Sequence, residues 1–488
     1  MADLDLRFHA WRDDRNVPRH RSLWIEQALA RHPGLSAPFE GDAQADVCII
    51  GGGFTGLWTA IRLREQSPST SVTLLEADFC GAGASGRNSG GTGTWWSKLS
   101  ALIRLAGRDE ALTILNASIQ AVRDIEAFTQ AHGIDCSLRH GPAVGAATAP
   151  AQVGAWDLAF KAAETMGLQP PWRRLEPQEL RRWFGERGPT LAGVVDEHGT
   201  WVHPALLARG LYRTAIGMGV RIYEHTPVTQ VHGNATGLTV RTERGRLRTD
   251  QVVLAANAWM AHLPEFRPHI AVMSSDIIAT DPIPEILKRH GLRERPNSVN
   301  SRMMLNYGGI TSDGRVYLGR GGGSIAFNGR VTAKFDRSPK LMAEVEADFR
   351  YLYPELSDVP ITTGWSGPVD RSTTGLPWFG RLKADPRVSY GIGYSGHGVG
   401  ATALGGRILT SLVLGHQDQW VTVAECLQHA RRGSFPPEPV RYVGAHVVRA
   451  AVARKELAER ERRYPSRLDK ALARLAPATI SEFKSRPT

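Results

Sequence analysis

Residues 46–91 predict an α/β fold built on a nucleotide-binding parallel sheet. Two observations carry that prediction. DVCIIGGGFTGLWTAIRLRE followed by VTLLE reads as strand, glycine turn, helix, strand and acidic residue. GAGASGRNSGG, at 81–91, is a second glycine-rich loop directly after it. The chain has 488 residues and 51 glycines, enough for two joined domains with large cores.

The first strand is expected at 46–50, the helix from about Thr55 into Glu65, and the second strand at 72–75. Gly51 allows the tight turn, Gly53 lets the backbone approach a pyrophosphate, and Gly56 lets helix and strand pack closely. The helix N-terminus presents N–H groups and partial positive charge to phosphate. Glu76 is spaced to accept hydrogen bonds from ribose hydroxyls. The second glycine loop favours FAD over NAD, because a flavin extends well beyond the pyrophosphate and needs close backbone approach along its length. Ser85 and Arg87 can reach phosphate or ribityl oxygens there, and Asn88 can reach the ring.

These residues resemble the FAD-binding N-terminus of the D-amino-acid oxidase-like family of flavoproteins, which includes glycine, sarcosine and gamma-glutamylputrescine oxidases. GASGRNSGG is most similar to the polyamine and N-methylamine branch. DQVVLAANAW at 250–259 resembles the family strand that returns under the cofactor. YGIGYSGHGVG at 390–400 resembles the strand-turn-helix beside the flavin pyrimidine, whose helix end would stabilise the anionic reduced ring. GPVDR at 367–371 and TGLPW at 374–378 fit the preceding loop. The resemblance spans about 44–416.

It implies a Rossmann-like FAD-binding domain interleaved with a substrate domain built on a mixed or antiparallel sheet. The expected parts are a leader strap (1–43), FAD-binding segments (44–132, 201–259, 363–435), substrate segments (133–200, 260–362) and a basic helical tail (436–488). On matching positions it implies cofactor contacts at Gly51, Gly53, Phe54, Thr55, Gly56, Glu76, Ala77, Ala84, Ser85, Gly86, Arg87, Asn88, Gly90 and Gly91. Val228 would meet the adenine. Ala255, Ala256, Asn257, Trp259, Gly367, Gly393, Tyr394, Gly396, His397, Gly398, Val399 and Gly400 complete the set.

Other elements follow from pattern. Helices are expected at 97–107, 110–132 and 151–166, and the resemblance implies another from Pro204. Strands are expected around 141–147, 220–223, 226–232, 238–242 and 246–254, with a turn at Arg244-Gly245. Residues 302–307 and 316–319, around the Asp313-Gly314 turn, belong to the expected substrate-facing sheet. The leader carries Phe8, Trp11 and Trp24 as aromatic anchors, with Arg12, Arg15, Arg19 and Arg21 scattered between acids. There are no internal repeats.

The net charge of +11 is uneven: residues 430–488 hold 14 Lys/Arg against 6 Asp/Glu. Glu456, Glu459 and Glu461 interrupt this basic run, so the expected 440–463 helix reads as amphipathic and packed on the body rather than as a nucleic-acid arm. Weak membrane-surface contact through the tail stays open. Apolar runs fall short of the roughly 18–20 residues of a membrane span. The N-terminus has no apolar signal core, and Cys48, Cys80, Cys136 and Cys426 show no CxxC spacing. A cytoplasmic protein without disulfides or metal is expected.

The resemblance implies amine oxidation: hydride passes from the carbon next to nitrogen to flavin N5, and the imine hydrolyses to a carbonyl. The amine must react neutral, which a dry pocket favours. Positioning is the protein's main task, so no catalytic triad is expected. His397, between two glycines, is the candidate nearest the reacting centre. Trp95 and Trp96 are candidates for the wall of the amine site, Tyr307 for its substrate-facing sheet, and Arg302, Arg320 or Arg371 for pairing with an anionic end. Each has a structural alternative: core packing for the tryptophans, a surface charge for the arginines.

Two departures from the family matter. No cysteine lies at 365–380, where some members attach FAD, so FAD is expected to be non-covalent. The strand expected at 271–278 lacks the lysine that some oxidases use to activate oxygen, so oxygen or another acceptor remains open. The substrate expected is a small primary or secondary amine: N-methylated, an amino acid, a polyamine or an aminophosphonate. FPPEPVRYVGAHVVRAAVARKE, at 435–456, is similar to members assigned to aminophosphonate oxidation. Two alternatives stand beside this: a membrane-docked dehydrogenase reducing quinone, and a flavin-binding partner protein without turnover.

Overall fold

The computed structural model describes residues 4–9, 19–185 and 187–477. Trp11, Arg12 and Arg15 of the expected strap lie outside the described residues.

The strand Gly41–Ile50 forms the middle of the first sheet, parallel to Val72–Leu75 on one side and Gly245–Leu254 on the other. Its last four residues are all buried, as expected of a parallel strand covered on both faces. The helix Phe54–Gln66 makes the crossover to Val72–Leu75. Arg221–Tyr223 extends the sheet beyond Val72–Leu75, and Val388–Ile392 runs parallel to the end of Gly245–Leu254. The leader strand Leu4–Arg7 pairs with Val228–Asn234.

The second sheet has eight strands in the order Ile361–Ser372, Ile270–Thr280, Val316–Arg320, Asn306–Ile310, Asn297–Asn300, Arg139–Ala147, Ala192–Trp201, Trp172–Arg174. It is antiparallel except where Asn297–Asn300 runs parallel to Arg139–Ala147. The chain therefore leaves the first sheet after residue 75, builds strands of the second at 139–201, returns at 221–254, leaves again for 270–372 and comes back at 378–392.

Behind the first sheet, helix Gly398–Leu414 packs on Phe54–Gln66. A Cβ at Gly406 would lie 2.6 Å from that of Trp58, so glycine permits this approach. Among the described residues, no single helix is long and apolar enough to cross a membrane.

Two local expectations need correction. The helix expected at 151–166 begins only at Asp157: a short turn at Pro150–Gln152 is followed by Gly154 at φ +77, which breaks helical continuation. The expected strand around 302–307 starts at Asn306, because the backbone N–H groups of Met303 and Met304 are taken by Glu456. The tail forms helices Val440–Arg460 and Arg467–Ala473, and Arg441, Ala451, Val452, Glu456 and Ala458 of the first are buried.

Candidate active site

Steric demands at the first turn are local. Gly51 has φ +111, and a Cβ there would lie 2.6 Å from the Ala255 carbonyl oxygen. A Cβ at Gly56 would lie 1.9 Å from the Gly51 carbonyl oxygen, so helix and strand could not approach as they do. Glu76, at the end of its strand, accepts from Gly52 N–H at 2.6 Å and Asp78 N–H at 2.9 Å. Burial nevertheless pushes its carboxyl up to about 7, because the lost hydration outweighs those two bonds.

The second glycine loop is fastened to the first helix. Ser85 Oγ accepts from Phe54 N–H at 2.8 Å. Asn88 braces its own loop, donating to Ala84 O and Ser85 O and accepting from Gly90 N–H at 2.7 Å. Arg87 is buried and donates to the carbonyls of Ala82, Ser366 and His20. It thus ties the loop to the second sheet and the leader instead of extending freely toward a phosphate.

The turn before Gly398–Leu414 has an acidic organiser. Asp370, 1% exposed, accepts from the N–H groups of Gly393 at 2.6 Å, Tyr394 at 3.1 Å and Ser395 at 3.3 Å. Those bonds hold a turn in which Gly393, Ser395 and Gly396 all have positive φ. Burial pushes Asp370 up to about 6 despite them. Thr55 Oγ1 donates to the Tyr394 hydroxyl at 2.9 Å, joining the two helix N-termini.

His397 immediately precedes the helix. Its ring is partly open to the cavity, while Nε2 is buried with no hydrogen-bond partner among the described residues. Burial, reinforced by Lys98 and Arg371, holds its pKa well below the usual range, so the imidazole is neutral. Lys98, itself buried, donates Nζ to the Gly375 carbonyl.

These groups surround one cavity of about 640 Å³, within the range of small-molecule and cofactor sites. Residues 46–412 match the DAO family, described as FAD dependent oxidoreductase. The chain belongs to that family. It is 27% identical over 390 residues to a probable oxidoreductase OrdL of Haemophilus influenzae, covering 79% of this chain and 86% of that protein. It is 29% identical over 392 residues to the gamma-glutamylputrescine oxidoreductase of Escherichia coli, covering 79% and 88%. The crystal structure of glycine oxidase from Geobacillus kaustophilus has the same fold, with a TM-score of 0.64 at 19% identity over 77% of this chain and 96% of that one.

This DAO-family oxidoreductase uses FAD, and its own residues fit that cofactor. Gly51, Gly53, Glu76 and most of the 83–91 loop line one wall of the cavity, and the glycine turn behind them has no room for side chains. His397 Nε2 adds a buried polar atom with hydrogen-bonding capacity to spare. The chemistry of the set is that of a dinucleotide: helix N–H groups for phosphate, a carboxylate for ribose, and a neutral imidazole.

Of the expected cofactor positions, Gly51, Gly53, Phe54, Thr55, Glu76, Ala77, Ala84, Ser85, Arg87, Asn88, Gly91, Val228, Ala255, Ala256, Asn257, Trp259, Gly367, Tyr394, Gly396, His397, Gly398 and Val399 line the cavity. Gly56, Gly86, Gly90, Gly393 and Gly400 lie behind its wall. There they permit close packing: a Cβ at Gly90 would lie 1.9 Å from Val202 O, and one at Gly400 2.4 Å from Thr92 O. No cysteine or lysine side chain lines the cavity among the described residues. Nor do they contain a cluster of His, Cys, Asp and Glu suited to a metal ion.

Among the candidates for chemistry, His397, Tyr307 and Arg371 line the cavity. Tyr307 shares a 2.8 Å hydrogen bond with Ser275, and burial raises its hydroxyl pKa. Arg371 Nη1 donates to Ser395 O at 3.4 Å, bracing the turn that carries His397. Trp95 is 1% exposed and packs in the main core, so it does not wall the cavity. Trp96 packs against the same core and is also off the lining. So is Arg320, paired with Glu344 at 3.1 Å and Asp348 at 3.6 Å. Arg302 is paired with Asp348 and Glu456. The anionic ends expected for Arg302 and Arg320 are therefore supplied within the chain.

Sequence reasoning missed Asp370, Met303, Met304 and the tail residues on the cavity wall. Asp370 stood in the quoted GPVDR segment. An acid beside a turn-rich stretch was the available signal, but nothing local joins it to residues 393–395.

Proposed function

We propose that this oxidoreductase oxidises a small primary or secondary amine at the carbon next to nitrogen, giving an imine that water converts to a carbonyl and a smaller amine. The observation that carries this reading is the neutral His397. Its Nε2 has no partner among the described residues, and its ring borders the cavity that the dinucleotide cradle shares with the second sheet. Bound FAD supplies the acceptor for the two electrons and the hydrogen that leave that carbon.

The protein's residues hold the amine and keep it neutral. Burial in the cavity disfavours the ammonium form, and a neutral imidazole on its wall adds no charge there. Tyr307, its proton retained, lines the same cavity as a neutral polar group. Binding and orientation fall to these two side chains and to Arg371.

The test is the anaerobic visible spectrum of the holoenzyme with N-methyl amino acids, D-amino acids, polyamines and aminophosphonates. Bleaching by one class supports amine oxidation and names the substrate. A yellow protein that none of them bleaches overturns it. Peroxide formed when air is readmitted distinguishes oxygen from another electron acceptor.

A further inference from the structure

The family match ends at residue 412, yet the cavity wall does not. Ala445, Val448, Arg449 and Val452 of helix Val440–Arg460 all line it. Their spacing of three and four places them on one face of the helix. The same face continues to Arg441 and Glu456, and both hold the body. Arg441 Nη1 donates to the carbonyl of Ile270, at the start of a cavity-lining strand, at 3.1 Å. Glu456, 5% exposed, accepts from Arg302 Nε at 3.1 Å and from the N–H groups of Met303 at 2.6 Å and Met304 at 3.0 Å. Between them Arg449 donates to Gly322 O at 2.6 Å and Glu344 at 2.9 Å.

The helix is thus anchored near both ends and in the middle. The stretch between the anchors faces the cavity with small apolar side chains. Met303 and Met304, held by Glu456, meet Val448 and Val452 in one apolar cluster and line the same part of the cavity. Unbranched methionines opposite small residues leave a slot suited to a flexible alkyl chain. Arg449 is held at this end by Glu344, whose carboxylate Arg320 also contacts, so the apolar character of the slot comes from Ala445, Val448, Val452, Met303 and Met304.

We propose that the C-terminal helix is a wall of the substrate pocket and that Val448, opposite Met303 and Met304, sets the length of the aliphatic substituent the substrate can carry. The substrate class is then an amine with an uncharged alkyl arm pointing at the tail. This rests on the amine reading above.

The experiment uses full-length holoenzyme and reads the shift in flavin absorption as straight-chain amines, ethylamine to octylamine, are added anaerobically. The matching carboxylates are run in parallel. Val448→Phe is expected to weaken the longer members relative to ethylamine, by about fourfold for each methylene kept out of the slot. Val448→Ala is expected to move the preferred length the other way. Glu456→Gln, which weakens the clamp, is expected to flatten the length dependence while FAD content stays that of the unaltered protein. Variants that scale every chain length equally, or no length dependence in either series, would overturn the proposal. If only the carboxylates shift the flavin and their length dependence follows residue 448, the wall stands and the amine reading falls.

Discussion

Glu76 gives a prediction in which pH and mutation must agree. Its carboxyl is pushed from the usual 4.5 up to about 7 by burial. That shift corresponds to roughly 3 kcal/mol of differential stabilisation between its two protonation states. The folded value is the raised one, so the stabilising contribution is complete below pH 4.5 and is lost as pH rises through about 7. In the apoprotein this group therefore disfavours the fold above neutrality. A ribose diol donating to the carboxylate acts in the opposite sense, since it stabilises the ionised form. FAD affinity should then be greatest above pH 7 and fall toward tenfold per unit below it.

Glu76→Gln keeps an acceptor for Gly52 N–H but removes the charge. Hydrogen bonds to a charged acceptor contribute about 1.5–3 kcal/mol, so at pH 8 the variant should bind FAD roughly ten- to a hundredfold more weakly. It should show no pH dependence from this position. The two affinity curves must converge as the wild-type carboxyl becomes protonated. The assay is fluorescence titration of apoprotein with FAD across pH 5.5 to 8.5. A flat wild-type curve, or a Gln variant that keeps the same slope, would refute the assignment of Glu76 to the ribose.

Three further outcomes are expected. Gly56→Ala places a methyl 1.9 Å from the Gly51 carbonyl oxygen and should abolish FAD retention, whereas Gly217→Ala, with nothing within 4 Å of the added methyl, should leave it unchanged; the ratio of flavin to protein absorbance after purification checks both. His397 is held neutral, so the pH profile of the reductive step should show no limb from this histidine between about pH 6 and 8. Single-turnover rates in His397→Gln, compared with wild type across that interval, test this, and a limb that disappears in the variant would show that the imidazole titrates there. Acid precipitation should release the flavin to the supernatant, since no cysteine lines the cavity among the described residues; a yellow pellet would mean covalent attachment.

The cradle and the family were legible in the chain alone. Gly51, Gly53, Gly56 and Glu76 lie within one strand-turn-helix-strand unit, and their tasks follow from backbone sterics acting between near neighbours. The second glycine loop was readable for the same reason, although the partners of Asn88 and Arg87 were not. Which polar groups are already satisfied depends on folding. Arg302 and Arg320 read as candidate grips for an anion until Glu344, Asp348 and Glu456, from helices remote in sequence, neutralise them. Trp95 follows a cofactor loop, yet burial in the core takes it away from the cavity. The tail shows the general limit. Its periodicity announces a helix with an inward face, but periodicity carries no information about what that face meets. Only the packed chain puts Val448 and Val452 against Met303 and Met304 at the edge of the site.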